Sequence, residues 1–451
     1  MHIRIDGTLD YHQQKQHLAH AFSVPAGTTK LNIQFDYAPK YSEGQTFRND
    51  LSLTVFDPEG ARGARHNNDD RNLVITETWA TPGYLPGALQ TGTWTAWIDT
   101  HRVLPPDTVH YWFEIELSSE PVEAKAPFVK AATAPRGKGW YRGDLHGHTL
   151  HSDGRWDVPD LAQYARDYQL DFVTLSDHNT ISGVAQLESL GGDDLLMIGG
   201  MELTTYYGHA LALGVRRWIE WRVDINNATM PELAERAQAE GATFIIAHPK
   251  SEGDPNCTGC DWNYPDMIPG NARCVEIWNS AWDSGRQNED GLQLWYEWLN
   301  RGYRMVGTRG TDIHGPLDYT NVGFNIVYAD ELSEAAILSA IRQGHLYIST
   351  KPKLDFRAQG DDGSTGMVGD MVGGQTVQVR LTWEYATEGD HLRWVVNGEV
   401  VEETPIASAG KGEWTLNAAE ARWCLVEIRG ANGEMHAITN PVFLGGATDW
   451  K

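Results

Sequence analysis

Residues 144–154, DLHGHTLHSDG, close a strand-like run that begins at Gly139. Residues two apart on a strand project from the same face, so His146 and His148 are expected to lie side by side where this strand ends. An isolated H-x-H pair is weak evidence for a metal site, because such pairs also occur as surface or hydrogen-bonded histidines. The interpretation of this stretch therefore depends on the strands that follow it.

Similar side chains end the later strand-like runs: Asp177 and His178 in TLSDHNT, Glu202 and His209 in GGMELTTYYGH, His248 in FIIAHPK, and Asp312 and His314 in GTDIH. Each run alone also fits a surface histidine or, in SDHN, a helix cap. In parallel α/β proteins, however, functional groups gather at the carboxyl ends of the strands. The sequence therefore predicts a ring of imidazoles and carboxylates at one edge of the sheet.

Mixed imidazole and carboxylate ligands suit Zn, Mn or Fe rather than Ca or Mg alone. The candidate ligands exceed what one tetrahedral or octahedral ion can use, so we expect two or three divalent metal ions. The predicted metal ligands are His146, His148, Asp153, His178, Glu202, His209, His248, Asp312 and His314.

The pattern divides the chain into three segments. Residues 1–135 contain short runs such as KLNIQFDY and TWTAWID between turn residues, which predicts a β-sandwich, and 118–139 is typical of a linker. In residues 139–350 strands alternate with amphipathic helices, which predicts parallel strands with crossover helices. About 210 residues is short for an eight-fold barrel. Residues 352–451 predict a second, small β-sandwich.

The 451-residue chain has a net charge of −25, which opposes polyanion binding and predicts no nucleic-acid partner. No apolar run approaches the roughly 18–20 residues of a membrane helix, and the N-terminus lacks the apolar core of a signal peptide. We therefore expect a cytoplasmic protein with no membrane partner. Four cysteines are too few for a disulfide framework. Cys257 and Cys260 are expected to be free thiols of a loop; a structural metal site or a redox pair is the alternative.

The motifs DLHGHTLHSDG, TLSDHNT, GGMELTT, IIAHP and GTDIHG, in this order, resemble those of the PHP (polymerase and histidinol phosphatase) family of metal-dependent phosphoesterases. The resemblance covers about 139–350 and implies an α/β fold, a distorted seven-stranded (β/α) barrel of PHP type flanked by N- and C-terminal β-sandwich domains. The stretch ELTTYYGHALALG and the β-rich flanks are similar to the CehA/McbA-like branch, which includes carbamate-insecticide hydrolases. An amidohydrolase barrel also uses H-x-H, but the SDG and SDH motifs are not typical of it.

The resemblance implies a trinuclear site. The first ion would use His146, His148, Glu202 and Asp312, the second would share Glu202 and add His209 and His248, and the third would use Asp153, His178 and His314. Some family members have His at the position of Asp153, which implies a weaker third site or a different ion. His151 matches no family ligand and is expected at the rim, or as a proton shuttle.

The implied reaction is hydrolysis of a phosphate ester by attack of a metal-bridging hydroxide. Glu202 would bridge two ions, and His178 or His314 would orient the third ion or help protonate the leaving group. Asp144 and Asp177 are expected to accept hydrogen bonds from metal-bound imidazoles, as carboxylates near such sites commonly do.

Four residues are candidates for binding a small-molecule ester: Lys250, Asn279, Arg286 and Arg309. The pocket is expected to be lined by loops 204–209, 250–263 and 279–290. Arg309 stands where small residues are usual in the family, so it is expected either to hold an anionic group or to form a salt bridge. For the other three, surface salt bridges or loop hydrogen bonds are the alternative.

Two other functions stay open at this point. The same metal site could hydrolyse a carbamate or a carboxylic ester. Alternatively, the chain could recognise glycans, since it has 18 tryptophans and β-sandwiches can bind sugars through aromatic side chains; Trp79, Trp94, Trp97 and Trp112 lie in the first segment. Core packing is the competing interpretation of these tryptophans. The sequence makes no prediction of oligomeric state.

Overall fold

The computed structural model describes residues 1–42, 46–134, 136–282, 285–317, 319–446 and 450–451, and of residue 226 only the backbone. Position 135, the predicted end of the first segment, lies outside the described residues, as do positions 283–284 of the predicted loop 279–290.

The N-terminal part of the chain forms two antiparallel sheets that pack face to face. Its strands are β1 His2–Leu9, β2 His17–Val24, β3 Lys30–Ala38, β4 Asp50–Asp57, β5 Gly60–Ala64, β6 Asn72–Thr76, β7 Gly92–Arg102 and β8 Val109–Ser118. One sheet has the order β1-β8-β3-β6 and the other β2-β7-β4-β5. Alternate residues of β3, such as Phe35, are buried with Leu53 and Ile98 of the facing sheet. This alternation produces the predicted β-sandwich.

The middle of the chain alternates strands and helices. Its elements are β9 Gly139–Asp144, α1 Val158–Asp167, β10 Phe172–Leu175, α2 Val184–Ser189, β11 Leu196–Thr205, β12 Gly208–Leu213, α3 Met230–Ala239, β13 Thr243–Ile246, β14 Cys274–Asn279, α4 Gln287–Asn300, β15 Val306–Gly310, β16 Phe324–Ala329, α5 Glu334–Gln343 and β17 Leu346–Ser349. The strands form one sheet in the order β15-β14-β13-β12-β11-β10-β9-β16-β17.

The prediction of parallel strands holds for only part of this sheet. Strands β9, β10 and β11 are parallel, and so are β13, β14 and β15. Strand β12 is antiparallel to β11, because the turn at Tyr206 and Tyr207 is too short for a crossover helix. It is also antiparallel to β13. Strand β16 is antiparallel to β9 and to β17. The sheet is therefore mixed.

Helix α3 shows why the predicted helices form where they do. Thr229 Oγ1 accepts from Glu232 N, and the Glu232 carboxylate accepts from Thr229 N, so both groups cap the first turn. Leu233 and Ala237 lie on its buried face. Gly241, at φ 90°, follows its last turn in the left-handed conformation that favours glycine. Within the described residues, no helix is both long and apolar enough to cross a membrane.

Two buried asparagine side chains cover the free edge of β15. The Asn325 amide accepts from Arg309 N at 3.0 Å and donates to Arg309 O at 2.7 Å. The Asn440 amide makes the same pair of bonds with Gly307, both at 2.9 Å. Just beyond β15, Asp312 N donates to His146 O. These bonds bring β15 back towards β9, but among the described residues they are not a continuous strand ladder. A closed barrel therefore stays a prediction.

The C-terminal part contributes ten more strands within the described residues: β18 Lys353–Gly360, β19 Thr365–Met367, β20 Met371–Val372, β21 Thr376–Glu384, β22 His391–Val396, β23 Glu399–Pro405, β24 Gly410–Asn417, β25 Trp423–Arg429, β26 Met435–Thr439 and β27 Val442–Leu444. One antiparallel sheet, β19-β18-β21-β24, is separate. The other, β26-β25-β22-β23, continues the central sheet because β26 pairs with β17. The two sheets share a core that includes Leu381 and Val426.

Candidate metal centre

Glu202 lies at the centre of a buried cluster of imidazoles and carboxylates. It sits on β11, where all ten residues are buried, and its side chain is 0% exposed. Its Oε2 is 3.1 Å from His146 Nε2, 3.3 Å from His148 Nε2 and 2.9 Å from His178 Nδ1. Its Oε1 is 3.0 Å from His209 Nδ1 and 3.5 Å from His248 Nε2. One carboxylate thus faces two sets of imidazoles.

The first group combines the end of β9 with the residues that follow β15. Asp312 Oδ1 lies 3.4 Å from His146 Nε2 and 3.0 Å from His148 Nε2. Ligand atoms of these three residues lie within 4.8 Å of one another, a separation that could hold an ion. The backbone of β15 can approach His146 and Glu276 this closely only because residue 310 is glycine, since a Cβ there would overlap both side chains.

The second group lies on the Oε1 side of Glu202. His209 comes from β12 and His248 follows β13, and their rings are 5.3 Å apart. Ligand atoms of His146, Glu202 and His248 also fall within 4.8 Å of one another. The structure therefore brings together the residues that the resemblance assigns to a second ion.

The third group lies where the cluster is most exposed. Asp153 Oδ1 is 3.4 Å from His178 Nε2 and 3.1 Å from His314 Nε2. These three residues and His148 have ligand atoms within 4.8 Å of one another. The side chains of His314 and Asp312 are 32% and 23% exposed, whereas those of His146 and Glu202 are fully buried. The cluster therefore opens towards this third group.

The backbone is strained at two of these residues. His248 has φ 27° and Asp312 has φ 55°, both in the left-handed region that non-glycine residues seldom adopt. Residues held in such conformations concentrate at functional sites, where the surrounding structure maintains them. In both cases the strained residue follows a strand that enters the cluster.

Burial and the mutual attraction of opposite charges set the protonation of the cluster. Burial opposes charge on His248 and His314, yet nearby carboxylates raise their pKa values to about 9 and about 10. Burial also opposes charge on Asp312, but the surrounding imidazoles hold the pKa of its carboxyl well below the ordinary value. For His148, burial dominates and lowers the pKa to about 3. The buried carboxylates thus require positive charge close to them.

The donor set fits divalent metal ions. Within the described residues, several buried atoms of the cluster make no hydrogen bond: both ring nitrogens of His148, Nδ1 of His209 and Oε1 of Glu202. Two of these nitrogens nevertheless lie 3.0 Å from a carboxylate oxygen, His148 Nε2 from Asp312 Oδ1 and His209 Nδ1 from Glu202 Oε1. Buried polar atoms are normally paired, and lone pairs that converge on one volume are the arrangement that a divalent cation can satisfy. Imidazole nitrogen with carboxylate oxygen is the ligand chemistry of Zn, Mn and Fe.

Glu276 supports the cluster and was missed in the sequence. It lies on β14, buried, and its Oε1 is 2.9 Å from His146 Nδ1. Its Oε2 accepts from His248 N at 3.1 Å and from Asn279 Nδ2 at 3.3 Å. A carboxylate at the outer nitrogen fixes the tautomer of a metal-binding imidazole. A single Glu between the apolar residues of CVEIWNS was the available indication.

Asp144 and Asp177, which were expected to accept hydrogen bonds from metal-bound imidazoles, have other partners. Asp144 accepts from Thr311 N and Thr311 Oγ1 and, at 3.0 Å, from Tyr164 OH. Asp177 accepts from Thr149 N at 2.7 Å and from the hydroxyls of Thr149 and Ser152. Neither carboxylate accepts from an imidazole of the cluster in the described contacts, so both hold neighbouring loops instead.

Four further sequence candidates lie outside the three groups. Asn279 Nδ2 is 3.4 Å from Asp312 Oδ2, beside the first group. His151 is buried and its Nδ1 lies 2.7 Å from Ser182 Oγ, so it is not the rim residue that was expected. Lys250 is exposed, and its backbone forms an isolated antiparallel β-bridge with Asp261. Arg286 has an 87% exposed side chain, 3.6 Å from Asp290.

Among the described contacts, Arg309 does not form the salt bridge that was one of its two expected roles. Its side chain is fully buried, donates to Ser280 O at 3.0 Å and Tyr319 OH at 3.2 Å, and lies over the rings of Trp278 and Phe324. Its described contacts include neither an ion pair with a carboxylate nor a residue of the cluster. The role of all four candidate substrate-binding residues stays a prediction.

The N-terminal sandwich covers part of the cluster, which the sequence did not predict. The buried His66 ring is 4.9 Å from the His178 ring. Asn68 Nδ2 donates to Ser152 O at 2.7 Å, and Thr180 Oγ1 donates to Gly83 O at 2.7 Å. Of the tryptophans considered for glycan binding, Trp94 is fully buried, and Trp79, Trp97 and Trp112 are half-buried.

The expectation of two free thiols was wrong. Cys257 and Cys260 form a disulfide, whereas Cys274 and Cys424 are free and buried.

No family model matches this chain, and no curated protein does. Among solved structures, it is similar to a two-domain protein from Bacteroides vulgatus that contains a predicted PHP-like metal-dependent phosphoesterase, with 16% identity, a TM-score of 0.42, and coverage of 71% of this chain and 100% of that one. An amidohydrolase from Chromobacterium violaceum has 14% identity and a TM-score of 0.29, over 39% of this chain and 88% of that one.

Proposed function

We propose that this chain is a metal-dependent hydrolase of PHP-like type that acts on phosphate esters. One observation carries the proposal: the buried Glu202 presents Oε2 to His146, His148 and His178 and Oε1 to His209 and His248. A carboxylate with each oxygen facing a separate set of imidazoles has the geometry of a ligand shared by two ions.

The proposed ligands follow the three groups. Glu202 and Asp312 with the H-x-H pair would hold the first ion, Glu202 with His209 and His248 the second, and Asp153, His178 and His314 the third. A trinuclear centre of Zn, Mn or Fe is the proposal. Among the described residues of the three groups, the His314 side chain is the most exposed, at 32%, so the third position lies beside the part of the cluster most accessible to solvent.

The chemistry needs both the ions and the protein groups around them. A bound divalent cluster would make water nucleophilic near neutral pH and polarise the ester oxygens. Glu202 is held as a carboxylate, since the imidazoles around it keep its pKa well below the ordinary value despite its burial. It would therefore act as a ligand and not as a proton donor.

His178 and His314 are the proposed catalytic imidazoles. His314 Nδ1 lies 2.8 Å from the Asp312 carbonyl oxygen and would donate to it, which leaves Nε2 directed at Asp153. A ring nitrogen that binds an ion cannot carry a proton, so each ring either holds the third ion or protonates the leaving group through that nitrogen. The exposed position of His314 at the mouth favours it for the second role.

The test is reconstitution followed by a substrate panel. The protein is stripped of metal, loaded with Mn or Zn, and assayed on phosphomonoesters, phosphodiesters, aryl carboxylic esters and carbamates, with Glu202→Gln as the inactive control. Turnover of a phosphate ester that is lost in this variant is the expected result. Metal-loaded protein that hydrolyses no phosphate ester refutes the proposal.

Turnover of only carbamates or carboxylic esters would favour the alternative suggested by the CehA/McbA-like resemblance. Binding of glycans that persists after metal removal, with no hydrolysis in the panel, would instead favour a recognition module. The proposed substrate is a small-molecule ester in every hydrolytic case, because the cluster lies buried beneath the N-terminal sandwich.

A further inference from the structure

The disulfide between Cys257 and Cys260 lies in a turn that touches the second group of the metal centre. The Thr258 carbonyl oxygen is 3.1 Å from His209 Nε2, and the Cys260 carbonyl oxygen is 3.1 Å from His248 Nδ1. These are the ring nitrogens that do not face Glu202. The two carbonyl oxygens therefore contact both imidazoles of the second group on the side that faces away from Glu202.

These contacts determine which nitrogen of each ring is free to bind an ion. A backbone carbonyl can only accept, so it selects the tautomer with the proton on His209 Nε2 and on His248 Nδ1. The lone pairs are then left on His209 Nδ1 and His248 Nε2, which face Glu202 Oε1 at 3.0 and 3.5 Å. The turn thus prepares both imidazoles as ligands.

The turn can come this close only because of Gly259. Its φ is 78°, and a Cβ there would overlap Thr205 O and lie 3.2 Å from His209 Nε2. The turn is also tied to the N-terminal sandwich: Thr258 Oγ1 donates to His101 O at 3.2 Å, and Arg102 donates to Pro255 O at 2.6 Å. It is therefore held on both sides.

The Cys260 sulfur is close enough to become a ligand itself. Cys260 Sγ and one nitrogen from each of His209 and His248 all lie within 4.8 Å of one another. In the disulfide this sulfur is bonded to Cys257, so it is not a thiolate. As a thiolate it would add a sulfur ligand beside these two imidazoles, and Cys with His is a common zinc ligand combination.

We propose that the Cys257–Cys260 turn is a positioning element for the second metal ion and that its reduction turns Cys260 into an additional ligand of that ion. This inference rests on the proposed metal-dependent function. Oxidised, the turn holds its carbonyls on His209 and His248. Reduced, it loses that constraint and offers a thiolate to the same ion, which changes the affinity and the coordination of the second site.

The redox step is balanced with a phosphine as reductant. The phosphine attacks one sulfur and the S–S bond breaks, so the disulfide gains two electrons and, with two protons, becomes two thiols. The phosphine is oxidised to its oxide and takes its oxygen from water, which supplies the two protons. On binding, the Cys260 thiol releases its proton to solvent as the sulfur–metal bond forms.

The experiment is a Co²⁺ titration of the full-length protein, because a thiolate bound to Co²⁺ gives a charge-transfer absorption band that imidazole and carboxylate ligands do not. Oxidised wild type is compared with wild type that has been reduced by a phosphine, freed of it by anaerobic gel filtration and then titrated. Cys257→Ser retains the Cys260 sulfur, which lies near the imidazoles. Cys260→Ser retains only the Cys257 sulfur. Cys274→Ser is the matched control, since Cys274 is a buried free thiol elsewhere.

We expect no band in oxidised wild type and the band in both reduced wild type and Cys257→Ser. Cys260→Ser should show no band and should bind its most weakly held Co²⁺ about 10-fold less tightly than oxidised wild type, which is the scale on which outer contacts tune metal affinity. Circular dichroism of each metal-free variant verifies folding, and reduced wild type tests the inference without any substitution.

The inference is overturned if reduced wild type and Cys257→Ser bind Co²⁺ without the band and with unchanged affinity. A band that disappears in Cys274→Ser would overturn it as well. If oxidised wild type binds no Co²⁺ at all, the proposed metal-dependent function itself fails, so the two failures are distinguishable.

Discussion

Replacing Glu276 by Gln should weaken metal binding although Glu276 is not itself a proposed ligand. Its Oε1 faces His146 Nδ1 at 2.9 Å, while its Oε2 accepts from His248 N and Asn279 Nδ2 at 3.1 and 3.3 Å. Both oxygens thus receive donors. A glutamine keeps the shape but has only one accepting side, so its NH₂ group must face either the imidazole or the two amide donors.

Either orientation has a cost. With the NH₂ group towards His146, the ring must take the opposite tautomer and put its proton on Nε2, the nitrogen that faces Glu202. With the NH₂ group turned the other way, the buried His248 N loses its acceptor, and Asn279 Nδ2 loses one of its two acceptors. A hydrogen bond to a charged group contributes about 1.5–3 kcal/mol, and loss of such outer contacts lowers metal affinity about 10- to 100-fold. These two ranges agree, since a tenfold change in affinity corresponds to about 1.4 kcal/mol.

The assay is competition for Zn²⁺ or Mn²⁺ between the protein and a chromophoric chelator, which gives the dissociation constant of each variant. Glu427→Gln is the matched control: Glu427 is equally buried, but it pairs with Tyr296 and Arg429, outside the cluster. The control variant should be less stable yet keep its metal affinity. Equal affinities in Glu276→Gln and wild type would refute the role given to Glu276.

Three other predictions concern the free edge of β15, the contact of Gly310 with His146, and the proposed metal ligands His248 and Glu202. Asn440→Leu removes the side-chain bonds along the free edge of β15 and should lower the free energy of unfolding of metal-free protein by about 2–4 kcal/mol in urea denaturation; an unchanged midpoint would show that water replaces the amide. Gly310→Ala should lower metal affinity more than about 10-fold, whereas Gly139→Ala, with no atom within 4 Å of its new Cβ, should leave it unchanged. By elemental analysis, His248→Ala should lose one bound ion and Glu202→Gln two; equal metal content in both would contradict a shared carboxylate.

The sequence predicted much of the cluster because His146, His148, His178, His248, Asp312 and His314 follow the ends of strands, whereas Glu202 lies within β11 and His209 at the start of β12. His146 and His148 share a face by strand alternation, and the later motifs follow other strands of the same sheet, so their convergence follows from local pattern. Glu276 escaped notice because a single Glu in an apolar strand has no spacing that distinguishes it. Asp144 was placed on the correct strand, but its partners, Tyr164 and Thr311, come from elements whose packing the pattern does not give.

Long-range pairing accounts for the remaining differences. The C-terminal strands were expected to form a separate sandwich, yet β26 pairs with β17 and joins one C-terminal sheet to the central sheet. Which strand edges meet depends on tertiary packing and not on local alternation. The same holds for Asn440, whose amide reaches β15 across 133 residues of chain. The C-x-x-C pair likewise has no local feature that separates free thiols from a disulfide.

The most direct test of the central claim is a crystal structure of the metal-loaded protein, with data collected above and below the absorption edge of the metal. We expect anomalous peaks on both sides of the Glu202 carboxylate, one beside His146 and His148 and the other beside His209 and His248, with a third peak at Asp153 if all sites are filled. Protein with bound metal and no peak at Glu202 would contradict it.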